Sequence, residues 1–319
     1  MAEITKTETI WFNGAFVPWH EAKVHVLAHT LHYGTGVFEG IRSYLTDRGP
    51  AVFRLDTHLE RFFRSAATYE IPIPYTREQL TDATLELVRR NRLETAYIRP
   101  IAIFDVHTLT LLPADAPVTV AIAGWPMGAY LPAESDRGVR VTVSPVRRFN
   151  PSAIPPAAKS CGQYVNSVRA TQDAARRGFH EAILLTDTGD VSEGAGENLF
   201  VVKNGVVVTN DANAAILMGI TRDSILQIAR DLGIPTEIRT IRPEELPGAD
   251  ELFFCGTAVE VTPIEELDGT VIGDGRPGPI TRQIRNRFLE IARGRHAAYF
   301  KWLAFARAGA PHQKVGSAV

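Results

Sequence analysis

Lys159 ends the stretch Ile154-Pro-Pro-Ala-Ala-Lys159, and after it come, in order, Val191-Ser-Glu193-Gly-Ala-Gly-Glu-Asn198 and Met218-Gly219-Ile220-Thr221-Arg222. A lysine supplies a primary amine that can form an imine with a carbonyl group and then act as the base that moves a proton. A carboxylate can keep a ring nitrogen protonated, so that the ring draws electrons from the reacting carbon. A Gly-Ile-Thr turn at the start of a helix offers backbone N–H groups and a hydroxyl to a phosphate. Lysine, carboxylate and phosphate turn together are what pyridoxal phosphate requires. Each is weak alone: a single lysine is ordinarily a solvated surface residue, and Thr221 could be a plain N-cap. The approach to Lys159 is small and apolar, unlike a charged surface face. Gly194 and Gly196 do not make a dinucleotide fingerprint, because G-x-G-x-x-G is incomplete and a strand pattern follows.

The elements that must position these residues show in the periodicity. Asn13-Gly14 between apolar-aromatic runs in Ile10–Val17 predicts a two-residue hairpin. Asp56 is expected to cap a helix with Leu59, Phe62, Phe63 and Ala66 on one face, and Thr76-Arg-Glu-Gln79 reads as a capping box opening another. Tyr97–Ile103 and Val118–Ala123 are β-rich runs, after which Gly124–Pro132 has the Pro/Gly density of a connector. The boundaries expected are a small α/β domain over 1–125, a linker over 126–136 and a larger domain over 137–319. In the second half, Val139, Val141 and Val143 alternate as a strand, Ala182–Leu185 is a buried one, and Asn198–Thr209 is a hairpin turning at Asn204-Gly205. Thr221 precedes Ile225, Leu226, Ile228, Ala229 and Leu232 at helical spacing, with Gly233 as the stop and a strand expected over Glu237–Ile241. A last helix begins at Gly278-Pro279 and shows Ile280, Ile284, Phe288 and Ile291. The tail from His296 to Val319 is weakly patterned, with Tyr299, Phe300, Trp302 and Leu303 able to dock on the body. The fold class is therefore mixed, α+β.

The 319 residues are 45% hydrophobic, enough for a large core and better suited to two domains than one. The 34 basic side chains nearly balance 36 acidic ones, and no basic stripe is interleaved with aromatics, so small molecules rather than nucleic acid or a membrane are the expected partners. No apolar run approaches a membrane span and the N-terminus has no apolar signal core, which predicts a cytoplasmic protein. Cys161 and Cys255 are far apart and predict neither a disulfide framework nor a thiolate site. His25, His29 and His32 would share one face of a helix, yet no carboxylate follows the H-E-x-x-H pattern, and no metal is expected. A non-enzymatic binding module has no need of an ordered lysine, glutamate and phosphate turn.

With Gly256-Thr257-Ala258 and His32-Tyr-Gly-Thr-Gly-Val-Phe-Glu-Gly-Ile-Arg42 added, the set resembles the fold-type IV pyridoxal phosphate enzymes, most closely the branched-chain amino acid aminotransferases, from Ile10 to about Arg293. The resemblance implies two domains with the cofactor at their interface. It also implies a homodimer or higher assembly in which loops of one subunit close the pocket of the other. Lys159 matches the Schiff-base lysine, Tyr164 the tyrosine that hydrogen-bonds the cofactor's phenolic oxygen, and Glu193 the ring-nitrogen partner, with Glu197 the competing carboxylate. Gly219, Ile220 and Thr221 match the phosphate turn, completed by Arg61 and by Gly256-Thr257. Without the resemblance, Arg61 reads as a solvated helix residue facing Glu60 or Asp56. Tyr33, Phe38, Gly40 and Tyr130 match an apolar-aromatic wall, though by spacing alone the aromatics could equally be core. Tyr97 and Arg99 stand in the Tyr-x-Arg strand whose arginine receives the distal carboxylate of glutamate, and Thr257-Ala258 matches the α-carboxylate site. The implied activity is ping-pong transamination of leucine, isoleucine or valine with 2-oxoglutarate. Two departures stand out: Phe104-Asp-Val-His-Thr-Leu-Thr-Leu-Leu112 replaces a Gly-rich loop, and Met127 a common tryptophan. They keep a D-amino acid or (R)-amine transaminase, or a deaminating lyase of the same fold, as alternatives.

Overall fold

The computed structural model describes residues 3–128 and 137–306. The chain opens with the hairpin β1 (Thr9–Phe12) and β2 (Ala15–Pro18), turning through Asn13 and Gly14 at φ 46° and 92°. Both angles are positive, as this tight turn demands and as Asn-Gly adopts most readily. A short helix α1 (His29–Tyr33) leads to β3 (Gly36–Phe38), β4 (Ile41–Thr46) and β5 (Gly49–Phe53), then α2 (Leu55–Thr68), α3 (Arg77–Arg90), β6 (Ala96–Phe104) and β7 (Val118–Pro126). The second part holds β8 (Val139–Val143), α4 (Tyr164–Arg176), β9 (Glu181–Leu185), β10 (Val191–Gly194), β11 (Asn198–Lys203), β12 (Val206–Thr209), α5 (Ile220–Asp231), β13 (Thr236–Ile238), β14 (Glu251–Gly256), β15 (Glu260–Leu267), β16 (Thr270–Val271) and α6 (Pro279–Ala292). A final strand, β17 (Leu303–Phe305), returns to the first sheet beside β5.

Among the described residues these strands form two sheets. One runs β17-β5-β4-β6-β7-β1-β2 with β3 also on β6, and the other β10-β9-β8-β15-β14-β11-β12-β13 with β16 on β15. In the second, β8 is parallel to both its neighbours and β12 to β13. Both faces of β11 are covered: Phe200 and Val202 pack with Phe253, Ile225 and Phe288, while Leu199 and Val201 pack with Val139, Val141 and Phe254 on the other side. The first of these clusters also takes in Tyr44, Ala51 and Phe53 from β4 and β5, so one apolar core joins the two sheets. A separate core, built on Leu59, Phe62, Leu80 and Leu87, seats α2 and α3 on the first sheet.

Several local expectations hold, including both Asn-Gly hairpins and the Thr76 capping box, in which Gln79 N donates to Thr76 Oγ1 and Thr76 N to Gln79 Oε1. Others shift. The residue before α2 is Arg54, at φ 52°, with Asp56 inside the first turn. Leu55 is buried and begins the helix, while the Arg54 guanidinium donates to Thr57, Ser224 and Asp223 and fixes the chain two residues earlier than a cap at Asp56 would. The residue before α5 is Gly219, so Thr221 lies within the helix. β7 keeps its ladder through Pro126, opposite Ala96, so the connector begins later than its composition suggests. The late strand expected over Glu237–Ile241 is instead Thr236–Ile238, at an exposed edge, so only Glu237 and Ile238 of the expected residues lie in it. Of the three histidines, His29 and His32 fall in α1 and His25 outside it.

Candidate active site

Lys159 reaches its place through the backbone of the first sheet. Phe38 N donates to Lys159 O at 3.1 Å, Cys161 N to Gly36 O at 2.8 Å, and Lys159 N to Ser65 Oγ of α2 at 3.0 Å. The segment thus lies against β3, with Ser160 bridged to Val37. The side chain turns into a cavity of about 700 Å³, where its amine donates to the Tyr164 hydroxyl at 2.5 Å. Burial, with the nearby Arg61 charge, pulls the Lys159 pKa down from 10.5 to about 8, so the amine begins to lose its proton near neutral pH, far below an ordinary lysine. Burial likewise pushes the Tyr164 phenol up, keeping it a proton donor.

Arg61 stands across the site, and the reading of it as a solvated helix residue is overturned. Its Nε and NH2 donate to Glu39 at 2.6 and 2.9 Å, and its NH1 to Met218 O at 3.3 Å. Glu39 sits where β3 breaks from β4 along β6, so its side chain leaves the ladder pattern and enters the interior, where His58 Nδ1 also meets it at 2.7 Å. Burial alone would raise the Glu39 pKa, but the Arg61 and His58 partners outweigh it and hold the carboxyl ionised. Burial pushes His58 down, toward a neutral ring that donates from Nδ1. Neither Glu39 nor His58 is legible from sequence as a site residue. The one hint is a carboxylate inside the apolar run Gly36-Val-Phe-Glu39-Gly-Ile41.

Beyond Arg61, Gly219, Ile220 and Thr221 line the same cavity at the start of α5. No side chain caps that helix, which leaves first-turn N–H donors available at the positive end of its dipole. Glu193 projects from β10 at an irregularity of the β9–β10 ladder. Arg148 pairs with its Oε1 at 2.8 Å, while Asn198 Nδ2 and Leu217 N donate to its Oε2, each at 3.1 Å. Burial raises the Glu193 pKa and Arg148 opposes the rise. Glu197 also lines the cavity, but its carboxylate accepts from Gly196 N and faces Glu181; burial and that neighbour push it well up, toward the neutral form. Arg148 and Asn198 carry no sequence pattern that marks them as supports of a site.

Phe38, Gly40, Tyr97, Arg99, Gly256, Thr257 and Ala258 also line the cavity. A Cβ on Gly40 would fall 1.9 Å from the Tyr97 hydroxyl, so only glycine lets that ring close in. Arg99 NH2 donates to the Tyr97 hydroxyl at 3.1 Å, its guanidinium lies 4.5 Å from the Phe38 ring centre, and its buried Nε has no partner among the described residues. An open donor on a guanidinium suits an incoming carboxylate. Met127 lines the cavity as well. Tyr33 does not: it lies on α1, 43% exposed, donating to Leu109 O at 3.0 Å. The loop after β6 lies over α1, with His29 Nε2 2.9 Å from Thr110 O. Tyr130 lies outside the described residues.

An amine, a carboxyl with fixed partners, a phenol and a cationic cup with free N–H donors face one another, and this donor set fits a phosphorylated pyridine aldehyde. Comparisons with known proteins agree. The family model of amino-transferase class IV matches residues 36–267. The branched-chain-amino-acid aminotransferase of Escherichia coli (strain K12) is 44% identical over 300 residues, 93% of this chain and 97% of the relative, and that of Pseudomonas aeruginosa is 42% identical over 303 residues, 95% and 98%. Among solved structures, a T.th. branched-chain amino acid aminotransferase complexed with N-(5'-phosphopyridoxyl)-L-glutamate superposes with a TM-score of 0.91 at 44% identity, covering 95% of this chain and 99% of that one. The Escherichia coli enzyme gives 0.93 at 42%, covering 95% and 100%. By family match, identity and fold alike, this chain belongs to the class IV aminotransferases.

Proposed function

We propose that the protein is a pyridoxal phosphate-dependent branched-chain-amino-acid aminotransferase, moving the amino group of leucine, isoleucine or valine to 2-oxoglutarate in a ping-pong reaction. The observation that carries this reading is the convergence of Lys159, Tyr164, Glu193, Arg61 and the uncapped start of α5 on one cavity. The names of the relatives, and the phosphopyridoxyl-glutamate compound bound by one of them, support it.

When bound, pyridoxal phosphate supplies a carbonyl carbon on which amines condense and a protonated ring that accepts electrons. Lys159 is the residue that joins to it. Its amine, uncharged in good part near pH 8, would have the lone pair that attachment to the cofactor requires, and the same nitrogen, when free, would be placed to hold the proton that leaves the substrate's α-carbon. Tyr164 would donate from its hydroxyl to the cofactor's phenolic oxygen. Glu193 accepts from the ring N–H, a role for which its Arg148 and Asn198 partners suit it better than the surroundings of Glu197 suit that residue. Arg61, the N–H groups of Gly219, Ile220 and Thr221, and Gly256-Thr257 hold the phosphate.

The Thr257-Ala258 turn receives the substrate α-carboxylate, Phe38, Gly40 and Tyr97 form the side-chain wall, and Arg99 receives the distal carboxylate of glutamate. We read the protein as a cytoplasmic homodimer with domains over 1–125 and 137–319, joined by 126–136, residues 303–305 crossing back to the first sheet. Exposure of Leu31, Leu111 and Leu112 beside Tyr33 favours a second copy that covers them and carries Tyr33 toward the partner's pocket. Among the described residues no helix is long and apolar enough to cross a membrane. A panel of L-amino acids, D-amino acids and chiral amines with 2-oxoglutarate tests the reading. Turnover of L-leucine, L-isoleucine and L-valine is expected; turnover of D-amino acids or (R)-amines alone would overturn it, the outcome that the altered 105–112 loop would then explain.

A further inference from the structure

Arg42, on β4, is 3% exposed and does not line the cavity, yet its guanidinium ties together two segments that do. NH1 donates to Ala258 O at 3.2 Å, in the turn between β14 and β15 of the second sheet. NH2 donates to Met127 O at 3.0 Å and to Gly128 O at 3.2 Å, where the chain leaves β7 of the first. Its NH1 also lies 3.5 Å from Glu260 Oε1. Glu260 ends the same turn at φ 57°, a left-handed conformation that a residue with a side chain keeps only where its surroundings hold it. Tyr44, two residues along β4 on the same face, lies beside the same guanidinium, its ring centre 5.4 Å from Arg42 Cζ. Three carbonyls and a carboxylate converging on one buried cation require a planar fork of N–H donors, which an ammonium group cannot reproduce.

We propose that Arg42 is a positioning residue for the amino-acid substrate. It fixes the spacing between the Thr257-Ala258 turn and the Met127-Gly128 wall, and with it the aim of the turn's N–H groups and the width of the side-chain slot. The main supports of the phosphate cup, Arg61 on Glu39 and the start of α5, stand apart from Arg42, which reaches only the Ala258 end of the turn whose Gly256-Thr257 end edges the cup. This inference rests on reading the Thr257-Ala258 turn as the α-carboxylate site.

The test compares wild type with Arg42→Lys and Arg42→Met in three measurements: pyridoxal phosphate affinity of the cofactor-free protein, binding of 4-methylvalerate to the loaded enzyme, and kcat and KM for L-leucine. 4-Methylvalerate has the shape and carboxylate of leucine without its amine. Cofactor affinity within threefold of wild type is expected in both variants, with 4-methylvalerate affinity and KM worsened tenfold or more and kcat reduced by a smaller factor. If Arg42→Met does not fold, Arg42→Lys carries the comparison. Carboxylate affinity within threefold of wild type in Arg42→Lys would overturn the inference, as would equal losses of cofactor and carboxylate affinity. Wild-type enzyme that turns over L-leucine but does not bind 4-methylvalerate would instead overturn the reading of the turn beneath it.

Discussion

The Glu39 carboxylate receives Arg61 through two N–H groups at once, at 2.6 and 2.9 Å, in a place where neither side chain is more than 5% exposed. A third donor, His58, closes the set. A guanidinium that is to meet a phosphate must be held in one orientation before the phosphate arrives, and the bidentate pair does this. Glu39→Ala leaves a buried cation without its partner, an effect that costs about 3–5 kcal/mol in comparable pairs. Chemical denaturation of the cofactor-free variant should show a loss of that order, and pyridoxal phosphate titration at least a tenfold fall in affinity. The pair also sets a pH dependence. The Glu39 pKa is lowered in the fold, so the stabilisation is fully present above its ordinary value of 4.5 and lost as pH falls below it. A variant as stable as wild type, with undiminished cofactor affinity, would remove Glu39 from the support of the site.

Lys159→Ala should abolish transamination while leaving the fold intact, because it takes away both the attachment point and the proton carrier. The loss should exceed the ~10²–10⁴ expected from a missing general base alone. Lys159 also predicts a pH profile. The rate at which cofactor-free protein takes up pyridoxal phosphate, read from absorbance above 400 nm, should climb toward pH 8 and level off above it, as the amine with its pKa of about 8 loses its proton. Turnover of the variant within tenfold of wild type would rule Lys159 out.

Glu193 and Glu197 stand four residues apart in one turn and are predicted to behave oppositely. Glu193→Gln should keep its cofactor but slow by about 10²-fold or more, the scale of removing one electrostatic group aimed at a reacting centre. Glu197 is pushed toward its neutral form by burial and by Glu181, so Glu197→Gln should disturb the charge of the site far less and stay within threefold of wild type. Its raised pKa means that wild type loses stability as pH rises above 4.5, and the glutamine variant should be relieved of that loss. Damage confined to Glu197→Gln would reverse the assignment.

How far the site could be read in advance follows from the range of the interactions that build it. The Asn13-Gly14 and Asn204-Gly205 turns and the Thr76 box are decided within a few residues, and the pattern around them sufficed. Lys159 stood out because its chemistry is rare and its neighbours are apolar. Arg61 stood out only through the family resemblance: its partner is twenty-two positions away and enters the interior only because β3 and β4 part along β6, a fact of sheet pairing and not of spacing. Arg148 and Arg42 escaped for the same reason, each meeting groups brought near by the tertiary fold. Asp56 misled because a cap-like residue lay one place inside a helix whose start is fixed by buried Leu55.

Arg99 carries the distinction between the two substrates. It lies over Phe38 and beside the Tyr97 hydroxyl, with a buried Nε still to be paired. If it binds the distal carboxylate of glutamate, Arg99→Ala leaves that carboxylate without a charge partner, at a cost of about 2–5 kcal/mol for glutamate. Leucine has no such group and loses only packing. Single-turnover reactions of the loaded enzyme with L-glutamate and with L-leucine, each followed by the loss of cofactor absorbance above 400 nm, should therefore separate. The glutamate reaction is expected to slow by about thirtyfold or more, since 2 kcal/mol is close to a factor of thirty, and the leucine reaction by far less. Equal losses on both substrates would make Arg99 a structural residue and leave the recognition of glutamate to some other group.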